Sequence, residues 1–141
     1  MSNNDIVKVE IGTMLAEATG ATFCSVKADG DRATAAKVFN AMNNPEFRVA
    51  DFINKEIPVQ DVLIEMVEFP NEETGEVERV PRVVLMTPEG KAYQSTSIGM
   101  FNVVKNAFHI FGEAPWEPAL TFVIKQRPVK NGSMLTADIK A

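Results

Sequence analysis

Residues 77–112 read VERVPRVVLMTPEGKAYQSTSIGMFNVVKNAFHIFG, and the rest of the chain arranges itself around this segment. Arg79 to Met86 is predicted as a strand, because Val80, Val83, Val84 and Leu85 are β-branched or leucine and suit a pleated, half-buried surface. Thr87-Pro88-Glu89-Gly90 has the form of a type I turn, with Pro at its second position and Gly at its fourth. A second strand, Lys91 to Thr96, places Lys91, Tyr93 and Ser95 on one face and Ala92, Gln94 and Thr96 on the other. Ser97 is then a helix cap that accepts an amide hydrogen bond. Ile98, Phe101, Val104, Phe108 and Phe111 recur every three or four residues and make one apolar stripe, and Gly112 ends the helix. Such a stripe needs a core to enter.

Outward from this segment the pattern stays β toward the C-terminus. Glu113 to Pro118 is a tight connection that holds the single tryptophan, Trp116. Leu120 to Val129 is a strand with Leu120, Phe122 and Ile124 on one face and Val123, Lys125 and Arg127 on the other. Lys130-Asn131-Gly132-Ser133 carries Asn-Gly, a strong short hairpin signal, and Met134 to Ile139 is the returning strand. On the other side, Ile57 to Phe69 is one long apolar strand, strongly bent since a flat strand of that length is unusual. Pro70 to Val77 is an acidic hairpin tip around Thr74-Gly75.

The first part of the chain is weaker in signal. A short strand over Ile6 to Ile11 is possible, and Ala21 to Ala28 is a better strand because of Thr22, Phe23 and Val26. Asp29-Gly30 breaks it. Asp31 caps a helix over Arg32 to Asn43 whose face is Ala35, Val38, Phe39 and Met42, and Asn43-Asn44-Pro45 stops it. Val49, Phe52 and Ile53 suggest a helical turn. Residues 1–56 are therefore expected as a strand-helix preface packed on residues 57–141, with the whole chain, 1–141, one domain.

Five strands with a helix between the third and fourth, β-β-β-α-β-β, is the order of the five-stranded oligonucleotide/oligosaccharide-binding barrel, the OB-fold. The expected class is mainly β with helices. A chain of 141 residues can bury roughly 68% of its unfolded surface, enough for such a core. No apolar run approaches the roughly 20 residues that span a bilayer, so no transmembrane helix is predicted. The opening residues MSNNDIVKVE lack a basic n-region and an apolar h-region, so no signal peptide is expected. One cysteine, Cys24, allows no internal disulfide and no cysteine-rich zinc site, and reads as a small core residue in a reducing, cytoplasmic compartment.

Catalysis finds little support in the residues. The single histidine, His109, lies inside the apolar helix and has no second histidine or cysteine with which to share a metal. Glu72, Glu73, Glu76 and Glu78 are most simply a solvated tip. No phosphate loop is present, and Ser95 and Ser97 lack an adjacent base. No cofactor is implied and no enzyme is expected.

Binding finds more. The net charge of −5 argues against grip by bulk electrostatics, but the charge is polarised. Glu65, Glu68, Glu72, Glu73, Glu76 and Glu78 crowd one region, whereas from Leu120 onward Lys125, Arg127, Lys130 and Lys140 meet only Asp138. Strand faces of an OB barrel can carry rings on which unpaired bases stack, each contributing about 1–3 kcal/mol. Tyr93 shares a face with Lys91, and Arg79 and Arg82 lie on the neighbouring strand. Lys125, Arg127 and Lys130 flank the last hairpin loop, one of the two that grip ligands in this fold. Two readings stand for each ring: Tyr93 is a stacking platform or a core residue with its hydroxyl at the rim, and Trp116 is an exposed platform or a lid on the barrel.

These residues also resemble a known family, the small single-stranded DNA-binding proteins of tailed bacteriophages. The likeness is carried by Glu73-Thr74-Gly75-Glu76-Val77, Pro81-Arg82 with its hydrophobic run, Gly90-Lys91-Ala92-Tyr93-Gln94-Ser95, Phe108 to Gly112, and Trp116-Glu117-Pro118. Ala41 to Pro45 and Ala50 to Asn54 extend it over most of the chain. It implies an OB-fold that coats single-stranded DNA during phage DNA replication and recombination in the host cytoplasm. Replication or recombination proteins are then candidate partners, and the protein is a monomer or small homo-oligomer. The chain departs from the pattern in its acidic first hairpin tip, a poor DNA clamp, and in ending Asp138-Ile139-Lys140-Ala141 rather than in an acidic tail of the bacterial kind. A reading from another class is an OB-like protein-interaction module that uses the acidic hairpin. An oligosaccharide binder would want more exposed rings than Tyr93 and Trp116.

Overall fold

The computed structural model describes residues 22–26 and 31–140. The expected strand over Ile6 to Ile11 and the Asp29-Gly30 break lie outside the described residues, as do the ends of the strand expected over Ala21 to Ala28. Eight strands, two α-helices and one 3-10 turn follow in order: β1 (Thr22–Cys24), α1 (Arg32–Asn43), β2 (Phe47–Arg48), the 3-10 turn (Val49–Phe52), β3 (Glu56–Val59), β4 (Asp61–Pro70), β5 (Val77–Met86), β6 (Ala92–Ser95), α2 (Ile98–Phe111), β7 (Leu120–Val129) and β8 (Gly132–Lys140).

The strands form two sheets, β1-β4-β5-β6-β2 and β3-β7-β8. The class is mainly β, as expected, but the sheets do not close into a barrel. The single long strand expected from Ile57 is two strands, and Gln60 is the pivot between them. Its amide donates to the Met86 carbonyl at 2.9 Å, while its own carbonyl accepts from the Trp116 amide at 2.9 Å. Before the pivot, β3 pairs with β7, Ile57 opposite Phe122; after it, β4 pairs with β5 along ten residue pairs from Asp61↔Met86 to Pro70↔Val77. One run of apolar sequence therefore serves both sheets. Closure would require β8 to reach β6. Instead Phe47-Arg48 runs parallel to Tyr93-Gln94 on the free side of β6.

The local signals around the central hairpin operate as read. The Gly90 amide donates to the Thr87 carbonyl at 2.9 Å, and Thr87 Oγ1 accepts from the Lys91 amide at 3.1 Å. Gly90 has φ +92°, the left-handed region that a residue with a Cβ avoids. Ser97 Oγ accepts from the Gly99 and Met100 amides at 3.1 and 3.4 Å and starts α2. Phe101, Val104 and Phe108 enter the core from α2, joined by Met100 and Ala107. Ile98 and Phe111 of the expected stripe stay exposed. At about 100° per residue Ile98 falls off the buried arc, whereas Phe111 lies on it one turn beyond the last buried residue, Phe108.

Between the sheets sits the main core, with Val62, Ile64, Val83 and Leu85 from one sheet and Phe122 and Ile124 from the other. A smaller cluster, Leu63, Val84, Met86 and Ala92, lies on the outer face of the first sheet and is covered by Ala41, Val38 and Met42 of α1. Asp31 caps that helix, its carboxylate accepting from the Ala33 amide at 3.1 Å and the Thr34 hydroxyl at 2.8 Å. The Thr34 hydroxyl, then the Ala33 amide, hold its pKa below the ordinary value. The packing face is the expected one in part: Val38 and Met42 pack, joined by Ala41, whereas Ala35 and Phe39 are exposed, Phe39 by 62%.

Candidate nucleic-acid interface

The β7–β8 hairpin is apolar at its base and polar toward its tip. Along the inward face of β7, Phe122 and Ile124 are buried and Gln126 is exposed. The opposite face carries Lys125 and Arg127, and Lys130 stands at the turn. Lys125 is half-buried; Arg127 and Lys130 are exposed. Among the described residues none of these three forms an ion pair. Three uncompensated cations on one hairpin arm make a local positive field on an acidic protein.

The β4–β5 hairpin has the opposite sign. Its tip is held in one shape by Asn71, whose side-chain oxygen accepts from the Glu73 and Thr74 amides at 2.9 and 3.3 Å and whose side-chain nitrogen donates to Glu78 at 2.8 Å. Glu72, Glu73 and Glu76 project from it. Arg79 is on this acidic arm, opposite Glu68 in the register.

Tyr93 and Trp116 lie inward, and Arg82 is held between the first sheet and the end of α1. Tyr93 is 7% exposed; it stacks on Phe47 at 4.9 Å and meets Phe52 edge-on at 5.0 Å. Ala92 and Tyr93, on opposite faces of β6, are both buried, since α1 covers one side and the core fills the other. Trp116 is 5% exposed, packs edge-on against Phe108 at 5.7 Å and donates its indole N–H to the Gly112 carbonyl at 2.9 Å. Of its two readings, the inward-packed one describes its position. Arg82 donates through Nε to Glu65 at 2.8 Å and through Nη1 to Gln94 at 3.2 Å, and Nη2 reaches the Met42 carbonyl at the end of α1. Lys91 is exposed at the start of β6.

The eight candidate residues thus fall into separate places. Lys125, Arg127 and Lys130 share one hairpin, Arg79 sits on the other, Lys91 is at the β5–β6 turn, and Tyr93, Trp116 and Arg82 are packed. The face of β6 that carries Tyr93, expected to offer a stacking ring, turns toward the main core, and α1 covers the other face. In exchange there is a groove of about 630 Å³ between β6 and β8, lined among others by Arg48, Gln94, Ser95, Gln126 and Ser133. In the sequence Gln94 and Ser95 stand out only as part of the family motif, and Arg48, Gln126 and Ser133 do not stand out as site residues at all. The continuation of the Phe122-Ile124 alternation into Gln126 was the one signal pointing to a polar inner surface there.

Among the described residues no group of histidine, cysteine, aspartate and glutamate could hold a metal ion, and no helix is long and apolar enough to cross a membrane. Burial pushes the Cys24 thiol above its ordinary pKa, so the thiolate is disfavoured.

The structure is thus a two-sheet β protein with a cationic hairpin and an open polar groove. Residues 16–140 match the family described as Phage Single-stranded DNA-binding protein, and the chain belongs to that family. The family is DNA-binding and non-catalytic, and membership supports single-stranded DNA as the partner. Neither a curated protein nor a solved structure matches the chain.

Proposed function

We propose that this protein coats and protects single-stranded DNA without sequence preference during phage DNA replication and recombination, in the host cytoplasm and as a monomer or small homo-oligomer. Family membership over residues 16–140 carries the reading. Lys125, Arg127 and Lys130 supply the principal phosphate contacts, with Lys91 and Arg79 as outlying cations. Tyr93, Trp116 and Arg82 contribute by holding β6, the α2–β7 connection and α1 in place. Sequence tolerance follows from contacts made to phosphates, which carry no base information.

The scaffold of this reading is an open variant of the OB-fold. The pivoted pair β3–β4 stands for its first strand, β5 and β6 for the second and third, α2 for its helix, and β7 and β8 for the last two. The pairings of β4 with β5, β5 with β6, β3 with β7, and β7 with β8 support that assignment. The seam between the third and fifth strands stays open because β2 takes the edge of β6.

Gel-shift titration with single-stranded DNA, duplex DNA and RNA of one length tests the reading. Single-stranded DNA should bind tightest, and with about three phosphate contacts log K should fall against log salt with a slope of roughly −2. Equal or tighter binding to duplex would overturn it. The acidic tip, fixed in shape by Asn71, favours a second reading as a contact surface for replication or recombination proteins. That reading predicts loss of such a complex, with DNA binding intact, when Glu72, Glu73 and Glu76 become glutamine.

A further inference from the structure

The groove between β6 and β8 gathers hydrogen-bond donors, several of which have no acceptor among the described residues. Six of the residues that line it carry the argument: Arg48 from β2, Gln94 and Ser95 from β6, Ser97 before α2, Gln126 from β7 and Ser133 from β8. Ser95 Oγ accepts from the Ser97 amide at 3.1 Å, Ser97 Oγ from the Gly99 and Met100 amides, and Ser133 Oγ from Gln126 Nε2 at 2.7 Å. Each hydroxyl oxygen is thereby engaged as an acceptor, while its proton makes no hydrogen bond among the described residues. A hydroxyl in that state offers its O–H. Gln94 is in a similar position: its Oε1 accepts from Arg82 at 3.2 Å, which leaves its amide nitrogen as a donor.

The charge has the matching sign. Arg48 is 70% exposed, and its one ion pair among the described residues, to Asp51, is long at 3.6 Å. No carboxylate lines the groove among the described residues. No aromatic ring lines it either, so a base would find no surface on which to stack. Gln126 keeps its amide oxygen as an acceptor, enough for one base N–H at the groove's edge. Several donors and one guanidinium, held by Asp51 only through a 3.6 Å contact, fit an oxyanion with more than one acceptor oxygen.

We propose that this open seam seats one phosphodiester linkage of the single strand, held by Arg48 and by the hydroxyls of Ser95, Ser97 and Ser133. The inference rests on the single-stranded DNA-binding reading and adds a contact to it. Lys125 and Arg127 project from the opposite face of β7, so the groove contact is separate from theirs. A strand that crosses the hairpin would touch cations on one side of the sheet and lay a phosphate into the seam on the other. The seam exists because β2 keeps β8 from pairing with β6; a closed barrel would have no such groove.

Titration of the full chain with an oligo-dT strand at several salt concentrations tests this. Arg48→Ala should weaken binding about tenfold and flatten the salt slope by about 0.7, the value of one phosphate contact on a single strand. Arg48→Lys should restore the slope. Ser133→Ala should weaken binding about fivefold and leave the slope unchanged, because a neutral donor displaces no counterion. Both side chains are exposed, so thermal melts of the variants should coincide with that of the parent. If Arg48→Ala and Ser133→Ala bind with parental affinity and slope while Lys125→Glu with Arg127→Glu binds more weakly, the seam contact is wrong and the DNA-binding reading survives. If the unaltered protein does not bind oligo-dT, both fall.

Discussion

Phe47 and Tyr93 face each other across the parallel pair β2–β6, their rings stacked with centroids 4.9 Å apart at 26°. This contact joins the early part of the chain to the central hairpin. It also sets β2 on the edge of β6 that β8 would need to close the barrel. Phe52, edge-on to both rings at 5.5 and 5.0 Å, locks the 3-10 turn to the same place.

Tyr93→Ala should therefore act first on folding. Removing a buried aromatic side chain costs about 3 kcal/mol or more, so the melting temperature should drop clearly, whereas Tyr93→Phe should melt close to the parent. Parallel melts and DNA titrations decide the matter. Unchanged melting with weakened binding would make Tyr93 a stacking ring that the bound state exposes.

Arg82→Ala should release α1 from the sheet. The guanidinium is 12% exposed and its partner Glu65 20%, so deleting the cation strands a partly buried carboxylate and frees the Met42 carbonyl. Breaking a buried pair from one side costs about 3 kcal/mol. Hydrogen exchange should show faster opening in residues 32–43 than in β4 and β5. Uniform loss of protection across the sheet would contradict a local tether.

Gly99→Ala should be among the most damaging substitutions of α2. A Cβ there would overlap the Leu135 carbonyl oxygen and sit 2.9 Å from Met134 Cγ, so the start of α2 would have to lift off β8. Alanine is the better helix former by about 1 kcal/mol, and overpacking against backbone outweighs it. A thermal melt at or above the parental temperature would show that the helix can shift freely.

Charge reversal should matter at one hairpin only. Lys125→Glu with Arg127→Glu should weaken single-stranded DNA binding by more than about 1 kcal/mol, since attraction to phosphate becomes repulsion. Glutamine at Glu72, Glu73 and Glu76 should change affinity little, because salt screens exposed charges farther than about 10 Å from the strand. Abolished binding in the triple variant, with the double reversal silent, would put the DNA on the acidic arm.

Much of this architecture follows from signals a few residues long. Thr87-Pro88-Glu89-Gly90, the Ser97 cap, Gly112 and Asn131-Gly132 each act through backbone geometry or a neighbouring amide, so composition suffices to find them. The alternation from Leu120 to Ile124 likewise reports its own buried face, and the ordered motifs of residues 41–118 were enough to recognise the family.

Tertiary structure alone decided the rest. The mostly apolar run from Ile57 to Phe69 does not reveal that Gln60 divides it, because the first half pairs with β7, far away in sequence, while the second pairs with its own hairpin partner β5. The two residues of β2 carry no strand signal and depend on the edge that β6 offers. Tyr93 looks the same in sequence whether its face meets solvent or the core, and Phe47 and Phe52, brought to it by β2 and the 3-10 turn, settle it by packing on its ring. The groove gathers side chains from β2, β6, β7 and β8, each bland by itself; it becomes a site through the convergence of donors, which only the folded chain supplies.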